Sequence, residues 1–381
     1  MSLVSRLLFV CLLGVGSGAS AESQSDALAA TVDAVFAPLD RRDAPGCAVG
    51  VMRDGELVYK AAFGMASLEL GVPLTTESIF RIASVSKQFT AAAVLLLAED
   101  GVIDLDEDVR KYLPGLVDYG SKVSIRAMLG HVSGIPDYES VLMPQWGVTS
   151  SVTIELKSVA GGPFRMGNED YLSIAEFYDV ARTIPLRHAP MTHFEYSNTA
   201  YFLLSMVVEK TTGQTLRQFS EQRIFSPLGM NHSFYSDDAV EIIPQRATGY
   251  VARESGGYDL DMTNLYWVGD GGVHTSIDDF VRWDRNFYQP QLGRDPAAFI
   301  RKMNTPNSQI QDEDALYANG QSLRTSKFGT VYSHSGGWLG FSTHYVRYPE
   351  QGFSTVILCN DAMQEPADYA RAIAEQVLPL D

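Results

Sequence analysis

The sequence predicts a mixed α/β (α+β) fold in which one antiparallel sheet is built from both ends of the chain. Residues 47–59 contain two β-rich runs separated by Asp54-Gly55, which is the pattern of a tight hairpin. Further β-rich runs near the C-terminus are joined by tight turns: 331–334, 342–348 and 353–359. The residues between these two regions show helical periodicity. Together these patterns indicate a sheet flanked by helices, with a helical insertion between its strands.

Helices can be placed in order along the chain from apolar spacing and capping residues. We predict them at 25–39, 84–100, 124–131, 198–210, 275–287 and 367–377. The helix that starts at Ser84 carries apolar residues on nearly every face and should therefore be buried. The weakest pattern lies at 138–186, where we expect an irregular insertion.

The first 21 residues have the pattern of a signal peptide. Arg6 precedes an apolar run at 7–15, and Ala19-Ser20-Ala21 supplies the small residues found before a cleavage site. The run is shorter than the roughly 20 apolar residues that span a bilayer, although a buried N-terminal helix is an alternative. We expect cleavage after Ala21, no integral membrane segment in the mature chain, and a periplasmic or secreted location.

Charge and cysteine content limit the possible partners. The net charge of −17 argues against nucleic acids and anionic membranes. After the predicted cleavage two cysteines remain, Cys47 and Cys359, and each lies at the end of a strand-like run. In an exported protein they would form a disulfide if the two strands are antiparallel neighbours. Two buried free thiols are an equal alternative. The oligomeric state is left open by the sequence.

A serine and a lysine begin the first long helix. Ser84 and Lys87 are three residues apart, so their side chains share one face of the helix. A serine hydroxyl needs a neighbouring base to act as a nucleophile, and a lysine whose pKa is lowered by burial can supply it. Taken alone, Ser84 is also explained as a helix N-cap.

Two further motifs carry polar groups suited to acyl transfer. Tyr196-Ser197-Asn198 offers a phenol that can relay a proton and an amide with both donor and acceptor. His334-Ser335-Gly336-Gly337 lies at a strand, where glycines let a substrate approach backbone N–H groups. Each motif alone has a structural explanation, a helix cap in the first case and a turn or bulge in the second.

The three motifs together resemble those of the serine penicillin-recognising enzymes. In the forms Tyr-x-Asn and His-x-Gly they are similar to class C β-lactamases, D-alanyl carboxypeptidases, D-aminopeptidases and related esterases. Flanking segments agree at 80–90, 131–138, 195–201, 225–230 and 270–275, and the resemblance covers about residues 45 to 359. It implies a β-lactamase/transpeptidase-like fold with a sheet subdomain at about 22–84 and 266–381. The helical subdomain would span about 85–265, with the active site between the two.

The resemblance also implies a role for each motif residue. Ser84 would form the acyl-enzyme, and Lys87 and Tyr196 would share the work of base and proton relay. Three residues would bind or orient the substrate: Asn198, His334 and Gly336. Backbone N–H groups of Ser84 and Gly337 would form the oxyanion hole, and no metal or cofactor would be needed.

We therefore predict a serine hydrolase that acts on a small-molecule or peptide substrate with an amide, peptide or ester bond, D-amino-acid derivatives and β-lactams included. His334 replaces the lysine of many relatives and is mostly neutral at pH 7, which favours esters, amides and peptides over penicillins. Ala189-Pro190-Met191 departs from the Pro-Gly of relatives.

Other classes of protein are less consistent with the sequence. It lacks the G-x-S-x-G elbow of Ser-His-Asp hydrolases and the H-E-x-x-H pattern of zinc peptidases. The alternative function is a catalytically weak, penicillin-binding-like sensor of cell-wall fragments.

Overall fold

The computed structural model describes residues 18–142, 156–158, 164 and 170–379. Most of the predicted signal peptide therefore lies outside the described residues, and so does most of the 143–169 stretch. No helix in the described part of the chain is long and apolar enough to cross a membrane.

Fourteen strands are described. They are β1 (Cys47–Arg53), β2 (Glu56–Phe63), β3 (Met65–Ser67), β4 (Val72–Pro73), β5 (Phe80–Arg81), β6 (Phe234–Tyr235), β7 (Tyr250–Ala252), β8 (Tyr258–Leu260), β9 (Val273–Thr275), β10 (Leu316–Tyr317), β11 (Ser322–Ser326), β12 (Gly329–Trp338), β13 (Phe341–Tyr348) and β14 (Phe353–Cys359). Seven of them form one sheet in the order β10-β11-β12-β13-β14-β1-β2, and every pair in it is antiparallel. The predicted sheet built from both ends of the chain is confirmed.

Eleven α-helices are described. They are α1 (Gly18–Phe36), α2 (Lys87–Glu99), α3 (Ile125–Leu129), α4 (Tyr138–Leu142), α5 (Ile174–Ala181), α6 (Asn198–Thr212), α7 (Leu216–Ser220), α8 (Ser226–Leu228), α9 (Ile277–Tyr288), α10 (Pro296–Met303) and α11 (Pro366–Val377). Helices α2 to α8 lie in the chain between β5 and β9. The division into two subdomains at the stated boundaries stays a prediction.

The two faces of the sheet belong to different hydrophobic clusters. On one face Val49, Val51 and Ile357 pack with α1 and α11, the two terminal helices. On the other face Ala48, Val356 and Leu358 join a larger cluster that includes α2, α6 and α9. Because β14 is covered on both faces, its sequence is almost continuously apolar rather than alternating.

Cys47 and Cys359 face each other across the β1–β14 pair and form a disulfide. This settles the question that the sequence left open, because the antiparallel register places the two cysteines directly opposite. The first and last strands of the chain are thereby joined covalently across a separation of 312 residues.

The structure corrects two predicted elements. The irregular stretch predicted at 138–186 contains α4 and α5, and α5 begins with a reciprocal capping box between Ser173 and Glu176. The helix predicted from Ser84 begins at Lys87 instead. Residues Ala83–Ser86 form a 3₁₀ turn ahead of it, in which Ala83 has a φ of 45°.

Candidate active site

Ser84 is half-buried in the 3₁₀ turn that leads into α2. Ala83 before it adopts a left-handed backbone conformation, which is uncommon for a residue other than glycine. The turn packs against β12 and β13, two inner strands of the large sheet. Ser84 is thereby held between the sheet and the helices, where two cavities reach it.

Lys87 is fully buried and uses all three of its ammonium protons. Its Nζ donates to Ser84 Oγ at 3.0 Å, to Asn198 Oδ1 at 2.6 Å and to the Asp270 carbonyl oxygen at 2.7 Å. Burial lowers the pKa of Lys87 to about 8, although the nearby carboxylates of Asp270 and Asp137 oppose this shift. The lysine is thus held beside the serine and loses its proton far more readily than an exposed lysine.

Tyr196 lies against Lys87, with its ring centroid 4.8 Å from the ammonium nitrogen. Burial raises the pKa of Tyr196 well above 10, and a hydrogen bond with the Ser84 side chain only partly opposes this shift. The phenol therefore stays protonated at neutral pH. The buried ring of His131 packs on Tyr196 at 4.3 Å, and its Nδ1 accepts the Ser197 N–H.

Asn198 is held at the start of α6. Ser197 caps this helix by accepting the Ala200 N–H at 3.0 Å, and Asp137 accepts the Asn198 N–H at 2.7 Å. The Asn198 side chain is consequently fixed with its oxygen toward Lys87. The structure thus brings together the four predicted residues Ser84, Lys87, Tyr196 and Asn198.

His334 is buried, and both of its ring nitrogens are occupied by protein groups. Its Nδ1 lies 2.6 Å from the Ser335 carbonyl oxygen, which can only accept, so Nδ1 carries the proton. Its Nε2 then accepts the Tyr317 hydroxyl proton at 2.8 Å. Burial lowers the pKa of His334 to about 3, so the ring is neutral. His334 therefore offers a substrate neither a charge nor a free N–H.

The two glycines of β12 differ in their surroundings. Gly336 is buried, and a Cβ there would lie 3.1 Å from the Ser84 backbone nitrogen and even closer to Ile82 and Thr343 oxygens. Gly337 is exposed, and a Cβ there would meet no protein atom within 4 Å. Gly336 thus allows the strand to pack against the Ser84 turn. Gly337 leaves open space next to Ser84, and Ser84 and Gly337 line the same small cavity.

Several acidic and aromatic residues at the site were not predicted. Asp270 accepts the Tyr138 hydroxyl at 2.7 Å. Burial raises the pKa of Asp137 to about 6 and that of Glu139 to about 7. Five residues at the site were not predicted: Asp137, Tyr138, Glu139, Asp270 and Tyr317. The first four lie within or next to two segments that resemble the family, 131–138 and 270–275. No pattern in the sequence pointed to Tyr317.

Two cavities of unequal size meet at Ser84. The larger has a volume of about 570 Å³, and Tyr196, Tyr317 and His334 line it near the serine. The smaller has a volume of about 30 Å³, and its walls include Glu139, Asn198, Gly337 and Trp338. Within the described residues no group of three or more His, Cys, Asp or Glu side chains is arranged to bind a metal ion.

Comparison with known proteins agrees with this geometry. The Beta-lactamase family profile matches residues 32–378. Penicillin-binding protein 4* of Bacillus subtilis (strain 168) is 32% identical, over 85% of this chain and 70% of its own length. A D-aminopeptidase of Gluconobacter oxydans (strain 621H) is 28% identical over 92% of this chain, which spans only 62% of that relative.

Among solved structures, the octameric penicillin-binding protein homologue from Pyrococcus abyssi superposes with a TM-score of 0.75 at 25% identity. The alignment covers 93% of this chain and 76% of that one. The β-lactamase/transpeptidase-like fold inferred from the sequence is therefore confirmed. The chain belongs to the Beta-lactamase family, and it is a serine hydrolase.

Proposed function

We propose that this hydrolase cleaves an amide or peptide bond through a Ser84 acyl-enzyme and removes a small N-terminal residue, as an aminopeptidase does. The observation that carries this proposal is the unequal size of the two cavities at Ser84, about 30 Å³ and about 570 Å³. An aminopeptidase needs a small space for the acyl residue and a large one for the remaining peptide. A carboxypeptidase needs the reverse.

The proposed mechanism follows from the hydrogen bonds of Lys87. About a tenth of a lysine with a pKa near 8 is neutral at pH 7, and this form takes the Ser84 proton as the hydroxyl attacks the carbonyl carbon. The backbone N–H groups of Ser84 and Gly337 stabilise the oxyanion that forms. Collapse of the tetrahedral intermediate breaks the C–N bond, as Tyr196 gives its proton to the departing nitrogen and takes up the one that Lys87 removed from Ser84. Water then attacks the serine ester and passes its proton through Tyr196 to Lys87, and the Lys87 ammonium returns a proton to the Ser84 oxygen.

The position of Tyr196 supports an assignment of the two halves of the substrate to the two cavities. Its phenol stays protonated and is suited to donate a proton to the departing amine. A proton donor must contact the leaving nitrogen, and Tyr196 lines only the larger of the two cavities at Ser84. The leaving peptide therefore occupies the larger cavity, and the acyl residue occupies the smaller one.

The charges of the two cavities support an N-terminal substrate. The Glu139 carboxylate lines the smaller cavity, and no hydrogen bond or ion pair occupies it within the described residues. Burial raises the pKa of this carboxyl group to about 7, so about half of it is ionised at neutral pH, and the ammonium group of an N-terminal residue beside it would favour the ionised form. His334 provides no cation for a carboxylate next to the scissile bond, which disfavours penicillins and C-terminal residues as substrates. Similarity to D-aminopeptidases supports the D configuration.

Hydrolysis of D-alanine p-nitroanilide tests the proposal. We expect turnover of this compound to exceed that of its L-isomer and of its N-acetylated form, because the latter has no ammonium group. Ser84→Ala and Lys87→Ala should each lower kcat about a thousandfold or more while leaving the fold intact. Equal rates for the free and acetylated amines would contradict the aminopeptidase assignment, and near-native rates in Ser84→Ala would contradict the mechanism.

The same variants address the alternative of a weakly catalytic sensor. A sensor would retain affinity for cell-wall peptides without turnover, whereas the Ser84–Lys87–Tyr196 arrangement is complete in this chain. The second readout is mass spectrometry of the native protein and of the Ser84→Ala variant after incubation with a penicillin. We expect little Ser84-dependent adduct or hydrolysed drug, since His334 is neutral and occupied.

We further propose that the enzyme is exported. The signal-like pattern of residues 1–21 and the Cys47–Cys359 disulfide, typical of oxidising compartments, support this location. N-terminal sequencing of the protein from its native host should find Glu22 as the first residue.

A further inference from the structure

We propose that the leaving-peptide side of the site continues into a groove on the outer face of the sheet and binds an acidic side chain of the peptide at Arg324. This inference rests on the proposed function, because it takes the larger cavity as the place of the leaving peptide. It adds a substrate preference, namely an acidic residue several positions after the scissile bond.

The cavity that reaches Ser84 extends far beyond the catalytic residues. It is also lined by Arg371 and Glu375 of α11, which packs on the opposite face of the sheet from α2. Side chains alternate between the two faces along a strand, so Ser333 and Ser335 point away from the face that carries His334. Cross-strand partners on that outer face continue the groove: Val331 with Arg324, Ser333 with Val346, and Ser335 with His344.

The edge of the sheet provides the passage between the two faces. Strand β11 pairs with β12 only as far as Ser333. Beyond that point β12 continues from His334 to Trp338 without a partner strand on this side within the described residues. Ser335 is exposed at the opening, and its hydroxyl is hydrogen-bonded to His344 Nδ1 at 2.9 Å. A peptide leaving the Ser84 region can therefore pass over this edge into the outer groove, which we call the β11–α11 groove.

Charge identifies the preferred ligand of the β11–α11 groove. Lys327 pairs with Glu375 at 3.1 Å, and Arg371 pairs with Asp368 at 2.9 Å. Arg324 is exposed and makes no side-chain hydrogen bond or ion pair within the described residues. Of the three cationic side chains that line this cavity in the described part of the chain, Arg324 is thus the one left for a ligand. An unpaired guanidinium attracts a carboxylate at short range, although the net charge of −17 repels acidic peptides at long range.

Strand geometry gives the distance from the scissile bond. Gly336 packs against Ser84, and Val331, which pairs with Arg324, lies five residues earlier on β12. At about 3.3 Å per residue this is about 17 Å, the length of about five extended residues. The acidic side chain should therefore stand about five residues after the cleaved bond. Apolar walls such as Phe328, Val346 and Tyr348 provide contacts for the intervening peptide.

Binding can be measured without turnover in the Ser84→Ala protein. Isothermal titration would compare D-Ala-Gly-Gly-Gly-Gly-Glu-amide with the same peptide ending in Gln-amide, in which the acid is the fifth residue after the scissile bond. We expect the Glu peptide to bind about fivefold more tightly, as for a solvent-accessible ion pair. Adding Arg324→Gln should remove this difference. Lys327→Gln is the matched control, because Lys327 lines the same cavity and is already paired.

Equal affinities for the two peptides would overturn the proposal. It would also be overturned if Arg324→Gln and Lys327→Gln reduced the preference for the Glu peptide equally, because that would indicate a general effect of charge. Unfolding midpoints of both variants exclude misfolding. Turnover of D-alanine p-nitroanilide by protein with intact Ser84 separates this inference from the proposed function, because that compound is too short to reach Arg324. Loss of the Glu preference with normal turnover rejects the groove alone. Absent turnover with a retained preference rejects the aminopeptidase assignment alone.

Discussion

Burial shifts the pKa values of Lys87 and Tyr196 in opposite directions, and this separates their chemical roles. The pKa of Lys87 falls to about 8, whereas that of Tyr196 rises well above 10. At neutral pH a fraction of the lysine is already neutral and can accept a proton, whereas the tyrosine stays protonated and can donate one. The sequence left the two residues to share the work of base and relay. Their environments assign the base to Lys87 and the proton-donating relay to Tyr196.

The rate should therefore rise with pH through the pKa of Lys87. With an uncharged ester substrate, which has no titrating amine, we expect kcat/KM to increase about tenfold between pH 6 and pH 7 and to level off above about pH 8. The sign follows from the lowered pKa of a basic group, because the neutral form is active and accumulates above about pH 8. A pH–rate profile from pH 5 to pH 10 checks this expectation. A flat profile, or one that falls above pH 7, would exclude neutral Lys87 as the base.

At the scale of elements, the packing of β12 against the Ser84 turn positions the nucleophile. A methyl group at Gly336 would collide with Ile82, Thr343 and the Ser84 nitrogen, whereas one at Gly337 would enter open space. We expect Gly336→Ala to lower the free energy of unfolding by about 2 kcal/mol. Gly337→Ala should leave the unfolding midpoint unchanged but lower kcat/KM by at least about tenfold, because its methyl group occupies substrate space.

The two neighbouring variants control for each other. Denaturant unfolding and p-nitroanilide turnover should be measured on both. If Gly337→Ala lowered the free energy of unfolding as much as Gly336→Ala, the methyl group at position 337 would be colliding with protein atoms and not entering open space. If Gly337→Ala kept full activity, the substrate would not approach β12 at this point.

Local patterns predict elements well where the signal is local. The hairpin turn at Asp54-Gly55 determines its own geometry and is found as expected. The helix cap that was the structural explanation of the Tyr196-Ser197-Asn198 motif is also present, at Ser197. Ser84 is an exception, because its 3₁₀ turn is imposed by contact with β12 and β13. Tyr317 is a second exception. Its hydroxyl meets His334 only after β10, β11 and β12 have paired, so no pattern near either residue reveals the contact.

At the scale of the whole molecule, the order of the sheet explains why the catalytic motifs are far apart in sequence and close in space. Strand β12 is next to β13, β14 and then β1, so the last third of the chain closes the sheet onto the first. The Ser84 turn then contacts β12 directly. The sequence shows the order and spacing of the three motifs, and the resemblance predicted that they meet in one site. The unequal cavities depend on side chains from many elements, and the sequence alone did not reveal them.

The Cys47–Cys359 disulfide should stabilise this closure by restricting the unfolded chain. It spans a separation of 312 residues, and long closed loops lose the most entropy when they are cross-linked. We expect the Cys47→Ser/Cys359→Ser double variant to lose about 3 kcal/mol of unfolding free energy and several degrees of Tm. A reducing agent should lower the Tm of the native protein in the same way and leave that of the double variant unchanged. Turnover at 25 °C should persist in the double variant, because the cysteines do not line either cavity at Ser84. An unchanged Tm in both experiments would show that pairing of β1 with β14 closes the sheet without covalent help.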